Sequence, residues 1–310
     1  MKLMENVEFI TKLKINLGFS GFKKILEISK IVKNWYMLPL FKSKIIKKVN
    51  ITLVNGTFYF LGNDLDYKNF WNSNEAALAV AYKFLIKYSE NKLFFDHLIF
   101  EYKTPEEFKN TIYMIRENFI YKQYSKLNVK GKVVLDIGGG IGDTAIYFYK
   151  NGATKIISLE PNKFAFEIAT KNIKLNKLKN IIFLNIGLGQ KNRKIKLDHS
   201  NYNPGYSLTF KSNLPVYHNI KFLSLDVLCN TYNLKNSILK MDIEGLEYKI
   251  ILNSTYSTLR NFDEIIIEYH NGYKNLKNKL KNSGFYTKLL NTPILTENGV
   301  QGLLFAKKTN

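Results

Sequence analysis

Four short runs carry the residues best suited to chemistry. Val133-Val134-Leu135-Asp136-Ile137-Gly138-Gly139-Gly140-Ile141-Gly142-Asp143 sends an apolar strand straight into a glycine-rich turn and then a helix. Such glycines let a ligand approach the backbone, and the helix start offers unpaired N–H donors. Glu160 closes the next apolar run, where a carboxylate can accept hydrogen bonds from both hydroxyls of a ribose. The third run is Lys240-Met241-Asp242-Ile243-Glu244-Gly245-Leu246-Glu247, and the fourth is Ile267-Glu268-Tyr269-His270. If these two runs end neighbouring strands of an open sheet, Asp242, Glu244, Glu268 and His270 face one crevice. His270, with a near-neutral reference pKa, is the simplest general base. Asp242 or Glu244 can serve as base instead, or can orient an acceptor. A divalent metal held by Asp242, Glu244 and Glu268 is a further alternative, since hard cations accept such oxygens, but none is assigned.

The glycine turn and Glu160 together describe a site for an adenosine-containing cofactor. Gly140, Gly142 and Ala145 also satisfy the dinucleotide spacing G-x-G-x-x-A, a weak signal by itself. Asp136 argues against a dinucleotide. A carboxylate at the strand end repels a pyrophosphate and balances a cationic ligand. S-adenosylmethionine carries an ammonium and a sulfonium and has no phosphate, so it is the expected cofactor. Asp136, Gly138, Gly140, Gly142 and Glu160 are the expected binding residues. Asn185, at the end of the third strand, is placed to touch the adenine.

Short apolar runs hold these residues: 133–138, 156–161, 181–187, 238–245 and 264–270, with amphipathic stretches such as 162–176 between them. Buried runs alternating with helices indicate parallel βαβ units. The chain closes with GFYTKLL and VQGLLFAKK, two strands joined by a loop, which predicts a terminal antiparallel pair. Upstream, Asn55-Gly56 between alternating residues 49–61 predicts a β-hairpin. A helix is expected over 74–89 with Asn74 as its cap, and another from Thr104-Pro105-Glu106-Glu107. The division expected is a basic amphipathic helical segment at 1–48, a small mixed cap at 49–128 and the main α/β domain at 129–310.

These motifs resemble the FkbM family of class I methyltransferases. The resemblance rests on D-I-G-G-G-I-G-D at 136–143, L-E-P at 159–161, Leu225-Asp226, the K-x-D-x-E-G-x-E run at 240–247 and the Glu268-Tyr269-His270 strand end. It spans roughly residues 115–306. It implies a Rossmann-like seven-stranded sheet with the last strand antiparallel, preceded by a helical and β-hairpin extension. It also implies O-methylation of a hydroxyl on a sugar, a glycan- or lipid-linked molecule or another small acceptor.

Composition narrows the alternatives. Cys229 is the sole cysteine, which excludes a disulfide scaffold or a cysteine zinc site. The net charge of +21 suggests RNA as a partner, and an RNA methyltransferase is the second reading. All but three of the 46 basic residues are lysine, however, and arginine is the usual reader of bases and phosphates. Lysine joined to abundant Asn and Ile reads as codon bias, and specific nucleic acid binding is not expected. A donor-binding module without turnover is the third reading. Asn203-Pro204-Gly205-Tyr206 precedes the fourth strand and reads as a turn, not as the element that holds a target amine. No run of 18 apolar residues or secretory leader is seen, so a cytoplasmic location is expected. Ile10, Leu13 and Leu17 line one face of a lysine-rich N-terminal pattern. That segment is expected to dock on the main domain, with peripheral membrane contact as the alternative.

Overall fold

The computed structural model describes residues 28–70, 73–189, 193–198, 217–296 and 299–309. Most of the amphipathic pattern expected at 1–48 therefore lies outside the described residues, as does Asn203-Pro204-Gly205-Tyr206. Two compact units divide the rest. One takes the described residues up to His97 together with Tyr102–Arg116, and the other takes Leu98–Glu101 and those from Glu117 onward.

The first unit holds α1 (Met37–Lys42), β1 (Val49–Thr52), β2 (Phe58–Leu61), α2 (Asp64–Asn69), α3 (Asn74–Lys83), β3 (Lys87–Ser89), β4 (Lys92–Phe95) and α4 (Pro105–Ile115). β1 and β2 form the expected hairpin, with Thr52 opposite Phe58. Gly56 takes the positive φ the turn requires, and Asn55 accepts from the Thr57 amide at 3.2 Å. The helix expected over 74–89 is shorter. It is capped by Ser73, not Asn74, through a 3.1 Å bond from the Ala76 amide. It stops at Lys83 because Leu85 turns to φ +55°, and the chain continues as β3. α4 opens as its sequence dictates, with the Thr104 hydroxyl accepting from the Glu107 amide and Pro105 in the first turn.

The second unit comprises β5 (Leu98–Glu101), β6 (Val133–Ile137), α5 (Asp143–Lys150), β7 (Lys155–Leu159), α6 (Lys163–Leu175), β8 (Ile181–Leu184), β9 (Ile186–Leu188), β10 (Arg193–Asp198) and β11 (Tyr217–Leu223). It continues with α7 (Leu225–Tyr232), β12 (Ser237–Met241), α8 (Glu247–Asn253), α9 (Tyr256–Leu259), β13 (Phe262–Tyr269), α10 (Lys274–Asn282), β14 (Phe285–Leu289), β15 (Ile294–Thr296) and β16 (Gly299–Lys308). Seven strands form the central sheet in the order β14-β16-β13-β12-β6-β7-β8. β6, β7, β8, β12 and β13 pair in parallel, and β16 runs antiparallel to both β13 and β14. This is the α/β, Rossmann-like sheet with an antiparallel last strand that the sequence predicts. β15 adds a short antiparallel partner on β16. Apolar clusters fill both faces of the sheet, which is why its strands read as nearly unbroken apolar runs.

The third strand departs from expectation. The run 181–187 is not one strand. It breaks at Asn185, and β9 leaves the central sheet to pair in parallel with β11, which also pairs with β10. Among the described residues no helix is long and apolar enough to cross a membrane.

A buried ion pair sits inside the central strands. Lys240, in fully buried β12, lies beside Asp136 of β6 in the strand register. Its Nζ is 3.2 Å from Asp136 Oδ1 and donates to the Gly138 carbonyl at 2.6 Å. Burial pushes this ammonium toward losing its proton, but Asp136, Asp242 and Asp143 more than reverse that. Breaking such a pair leaves an uncompensated buried charge. Lys240→Met is therefore expected to lower the unfolding free energy by about 3–5 kcal/mol in a urea titration. Adding Asp136→Asn should restore part of it. A single-variant loss under about 1 kcal/mol would show that the pair does not stabilise the fold.

Candidate active site

The glycine turn at the end of β6 is shaped by its neighbours. Gly138, Gly140 and Gly142 all adopt positive φ, at +79°, +50° and +86°. A side chain at Gly138 would collide with the carbonyl oxygen of Asp242, so the loop lies directly against the end of β12. The Asp242 amide closes the contact by donating to the Ile137 carbonyl at 3.0 Å. A side chain at Gly142 would press on Ala169 of α6 at 3.2 Å. Asp143 begins α5 and is buried, where it accepts from the Asn118 side-chain amide. Burial pushes its carboxyl up to about 7 against the pull of Lys240.

Glu160 follows β7 and reaches back to the loop. One carboxylate oxygen accepts from the Gly140 amide at 3.0 Å and the other from the Asn162 amide at 2.7 Å. Each oxygen keeps a further lone pair for a ligand hydroxyl. Burial raises the Glu160 carboxyl to about 7, with the two amides opposing it. The Asn185 amide donates to the Glu160 and Pro161 carbonyls at 2.9 and 3.1 Å, tying β8 to the loop that carries Glu160. Asp136 is fully buried. Its second oxygen accepts from Thr144 and Ser158 at 2.7 and 2.8 Å, so it lies beneath the loop.

A second group closes the neighbouring strands. Asp242 and Glu244 follow β12, His270 follows β13, and one ligand atom of each lies within 4.8 Å of the others. The His270 Nε2 is 3.3 Å from Glu244 Oε2 and 3.9 Å from Asp242 Oδ1. Its Nδ1 is 2.7 Å from Oε1 of Glu247, a fully buried residue at the start of α8. Glu268 takes no part in that contact. It accepts from the Gln123 side chain at 3.0 Å, while Gln123 also donates to the Tyr124 hydroxyl.

Burial dominates the electrostatics here. It raises Glu244 to about 7, helped by the charge of Asp242, and it raises Asp242 and Glu268 as well. Burial alone would lower His270, but the Glu247 hydrogen bond and the charges of Glu247, Asp242 and Glu244 carry it up to about 9. At neutral pH the imidazole is therefore cationic, and the carboxylates beside it are close to sharing protons.

The structure thus brings Asp242, Glu244 and His270 together, and it sets Gly138, Gly140, Gly142 and Glu160 around one loop. Sequence reasoning missed Lys240, whose signal was a charge interrupting the apolar run Ile238-Leu239-Lys240-Met241. Glu247 stands in the same run with no role assigned to it, because its contact with His270 depends on where α8 meets the end of β13. Asn118 and Gln123 gave no signal at all.

The raised His270 pKa yields a measurable titration. Its imidazole resonances should titrate near pH 9, and Glu247→Gln should move the midpoint down toward the ordinary 6.5. Because the folded value is the higher one, the stabilisation is complete below about 6.5 and fades as pH rises through about 9. A midpoint near 6.5 in the unaltered protein would refute the Glu247 contact.

Over 83 residues, 24% of this chain and 20% of the relative, the protein is 35% identical to the tRNA (uracil(54)-C(5))-methyltransferase of Pyrococcus horikoshii. The chain spans less than half the length of the curated relatives it matches. Among solved structures, M. capricolum TrmK in complex with S-adenosyl-homocysteine aligns with a TM-score of 0.40 and 17% identity, over 62% of this chain and 69% of that one. The precorrin-6y C5,15-methyltransferase of Geobacter metallireducens aligns at 0.35 with 16% identity, over 61% and 87%. The family model described as the methyltransferase FkbM domain matches residues 136–285, a span that holds the glycine loop, Glu160, Asp242, Glu244 and His270. Over that span the chain is similar to the methyltransferase FkbM domain.

Proposed function

We propose that this protein transfers the methyl group of S-adenosylmethionine to a hydroxyl oxygen, on a sugar, a glycan- or lipid-linked molecule or another small acceptor. The observation that carries the reading is the contact between the Gly138 turn and Asp242. It sets an adenosine-type loop directly beside a cluster able to take up a proton. Glu160 would accept from the ribose hydroxyls, and the glycine loop would let the donor lie against the backbone. Asp136 would support the loop from below, through Lys240 and Thr144. Asp242, Glu244 and Glu268 make the rim acidic, which suits a cationic donor.

The hydroxyl oxygen attacks the methyl carbon in line with the departing sulfur. A C–O bond forms, the C–S bond breaks, and the sulfonium becomes a neutral thioether. The hydroxyl proton passes to a carboxylate of Asp242 or Glu244, while His270, cationic at neutral pH and so not the base its reference pKa suggested, holds those carboxylates in place. Carboxyls raised toward neutrality are well matched to that task, because a base works best near the operating pH.

The net charge of +21 and the likeness to a tRNA methyltransferase favour RNA as a second reading. Methylation of a pyrimidine carbon calls for a nucleophile to activate the ring. The sole cysteine cannot serve: Cys229 is packed in the core, and burial pushes its thiol up to about 12. Incubation with radiolabelled donor and a cell extract, fractionated into glycan, lipid, RNA and protein, decides the acceptor. Label in the RNA fraction alone would replace the hydroxyl reading.

Two further outcomes are expected. Glu160→Ala should weaken S-adenosylmethionine about tenfold or more in calorimetry, with the fold kept, because hydrogen bonds to a charged group contribute about 1.5–3 kcal/mol each. Unchanged affinity would remove Glu160 from the donor site. His270→Ala and Asp242→Asn should each lower the single-turnover rate by about 10²–10⁴-fold while donor affinity shifts only a few-fold. Unaltered rates in both variants would make the cluster structural.

A further inference from the structure

We propose that Asp242, Glu244 and His270 form a binding site for one divalent cation of the Mn²⁺/Mg²⁺ class. The three side chains come from the ends of two adjacent parallel strands, and one ligand atom of each lies within 4.8 Å of the others. Around an octahedral ion with bonds of about 2.1 Å, adjacent ligand atoms stand about 3 Å apart and opposite ones about 4 Å apart. The observed 3.3 Å and 3.9 Å separations from His270 Nε2 fall in that range.

Two observations beyond this spacing point to a cation. Among the described residues the buried Asp242 Oδ1 has no hydrogen-bond partner, His270 Nε2 standing beyond hydrogen-bond reach at 3.9 Å. An orphaned carboxylate oxygen is costly, and a metal ion at this position would satisfy it. The second observation is the hold on the imidazole. Nδ1 is committed to Glu247, which is 0% exposed, and this leaves Nε2 toward the two carboxylates. A metal-ligating histidine is typically oriented by a carboxylate on its other nitrogen in this way.

The donor set selects the metal class. Two carboxylate oxygens and one imidazole nitrogen suit Mn²⁺ or Mg²⁺, whereas a zinc site would favour more nitrogen or sulfur. The balance of charge agrees. Glu247 and Glu268 add two carboxyls around Asp242 and Glu244, while Lys240 is already engaged with Asp136 and the Gly138 carbonyl. Three protein ligands leave open positions, and these fit neighbouring hydroxyl oxygens of a polyhydroxylated acceptor such as a sugar. That last step rests on the methyltransferase reading; the ion site itself does not.

The test uses the full-length, chelator-stripped protein with Mn²⁺ alone, free ion being followed by its paramagnetic resonance signal. One saturable Mn²⁺ per chain is expected. Asp242→Asn and Glu244→Gln, both nearly isosteric, should each weaken it at least tenfold, while Glu101→Gln on β5 leaves it unchanged. Circular dichroism confirms that the variants are folded. No saturable binding up to millimolar Mn²⁺, or equal binding in both site variants, would overturn the site. Calorimetry with S-adenosylmethionine on the same stripped protein separates the two readings. Donor binding without Mn²⁺ binding defeats only the cation. Mn²⁺ binding without donor binding defeats only the methyltransferase.

Discussion

A buried lysine in the centre of the sheet holds this site together. Lys240 bonds Asp136 sideways and the Gly138 carbonyl at the strand end, so one ammonium ties β12 to β6 and fixes where the glycine turn begins. Both partners are fully buried, and neither tolerates the loss of the other without an unpaired charge in the core. The pair is thus a weak source of stability compared with apolar packing, but a strong specifier of register. A one-residue slip of β12 against β6 would carry Lys240 away from Asp136 and toward the apolar packing on the other face.

The consequences run outward along the same two strands. With the register fixed, Asp242 abuts the turn at Gly138, where any side chain would collide with its carbonyl. Glu160 then crosses from β7 to grip the Gly140 amide, and Asn185 secures the Glu160 backbone from β8. Four adjacent strands therefore contribute to one rim, as expected at the carboxyl ends of an open parallel sheet. The rim gathers more carboxyls than cations. Burial opposes their ionisation, so they hold protons near neutrality or require a cation among them.

Much of this was legible in the sequence, for a physical reason. Strands covered on both faces must be apolar throughout, and the turn at 138–142 needs glycine for its positive φ, so both leave plain marks. What depends on three-dimensional pairing leaves none. Nothing in the sequence marks the two backbone carbonyls to which the Asn185 amide donates. Nor does it mark the pairing of Asp136 with Lys240, more than 100 residues away in the chain. The helix over 74–89 failed for a local reason: a reversal at Leu85 overrides an otherwise helical composition.

The turn after β12 shows how far the backbone bends to serve the cluster. Glu244 adopts φ +53°, a region that side chains other than glycine seldom enter, and Gly245 follows at +103°. Two successive left-handed residues reverse the chain between Asp242 and α8 within a few positions. Such a conformation costs on the order of 1 kcal/mol or more at Glu244 and persists only where its surroundings enforce it. A glycine or asparagine at 244 would relieve the strain, yet neither would place an anionic oxygen 3.3 Å from His270. The same reversal lets Glu247 enter the core at the start of α8 and meet the opposite nitrogen of that ring. The turn therefore clamps one imidazole between carboxylates on either side of a two-residue kink. The strain at Glu244 follows from that arrangement.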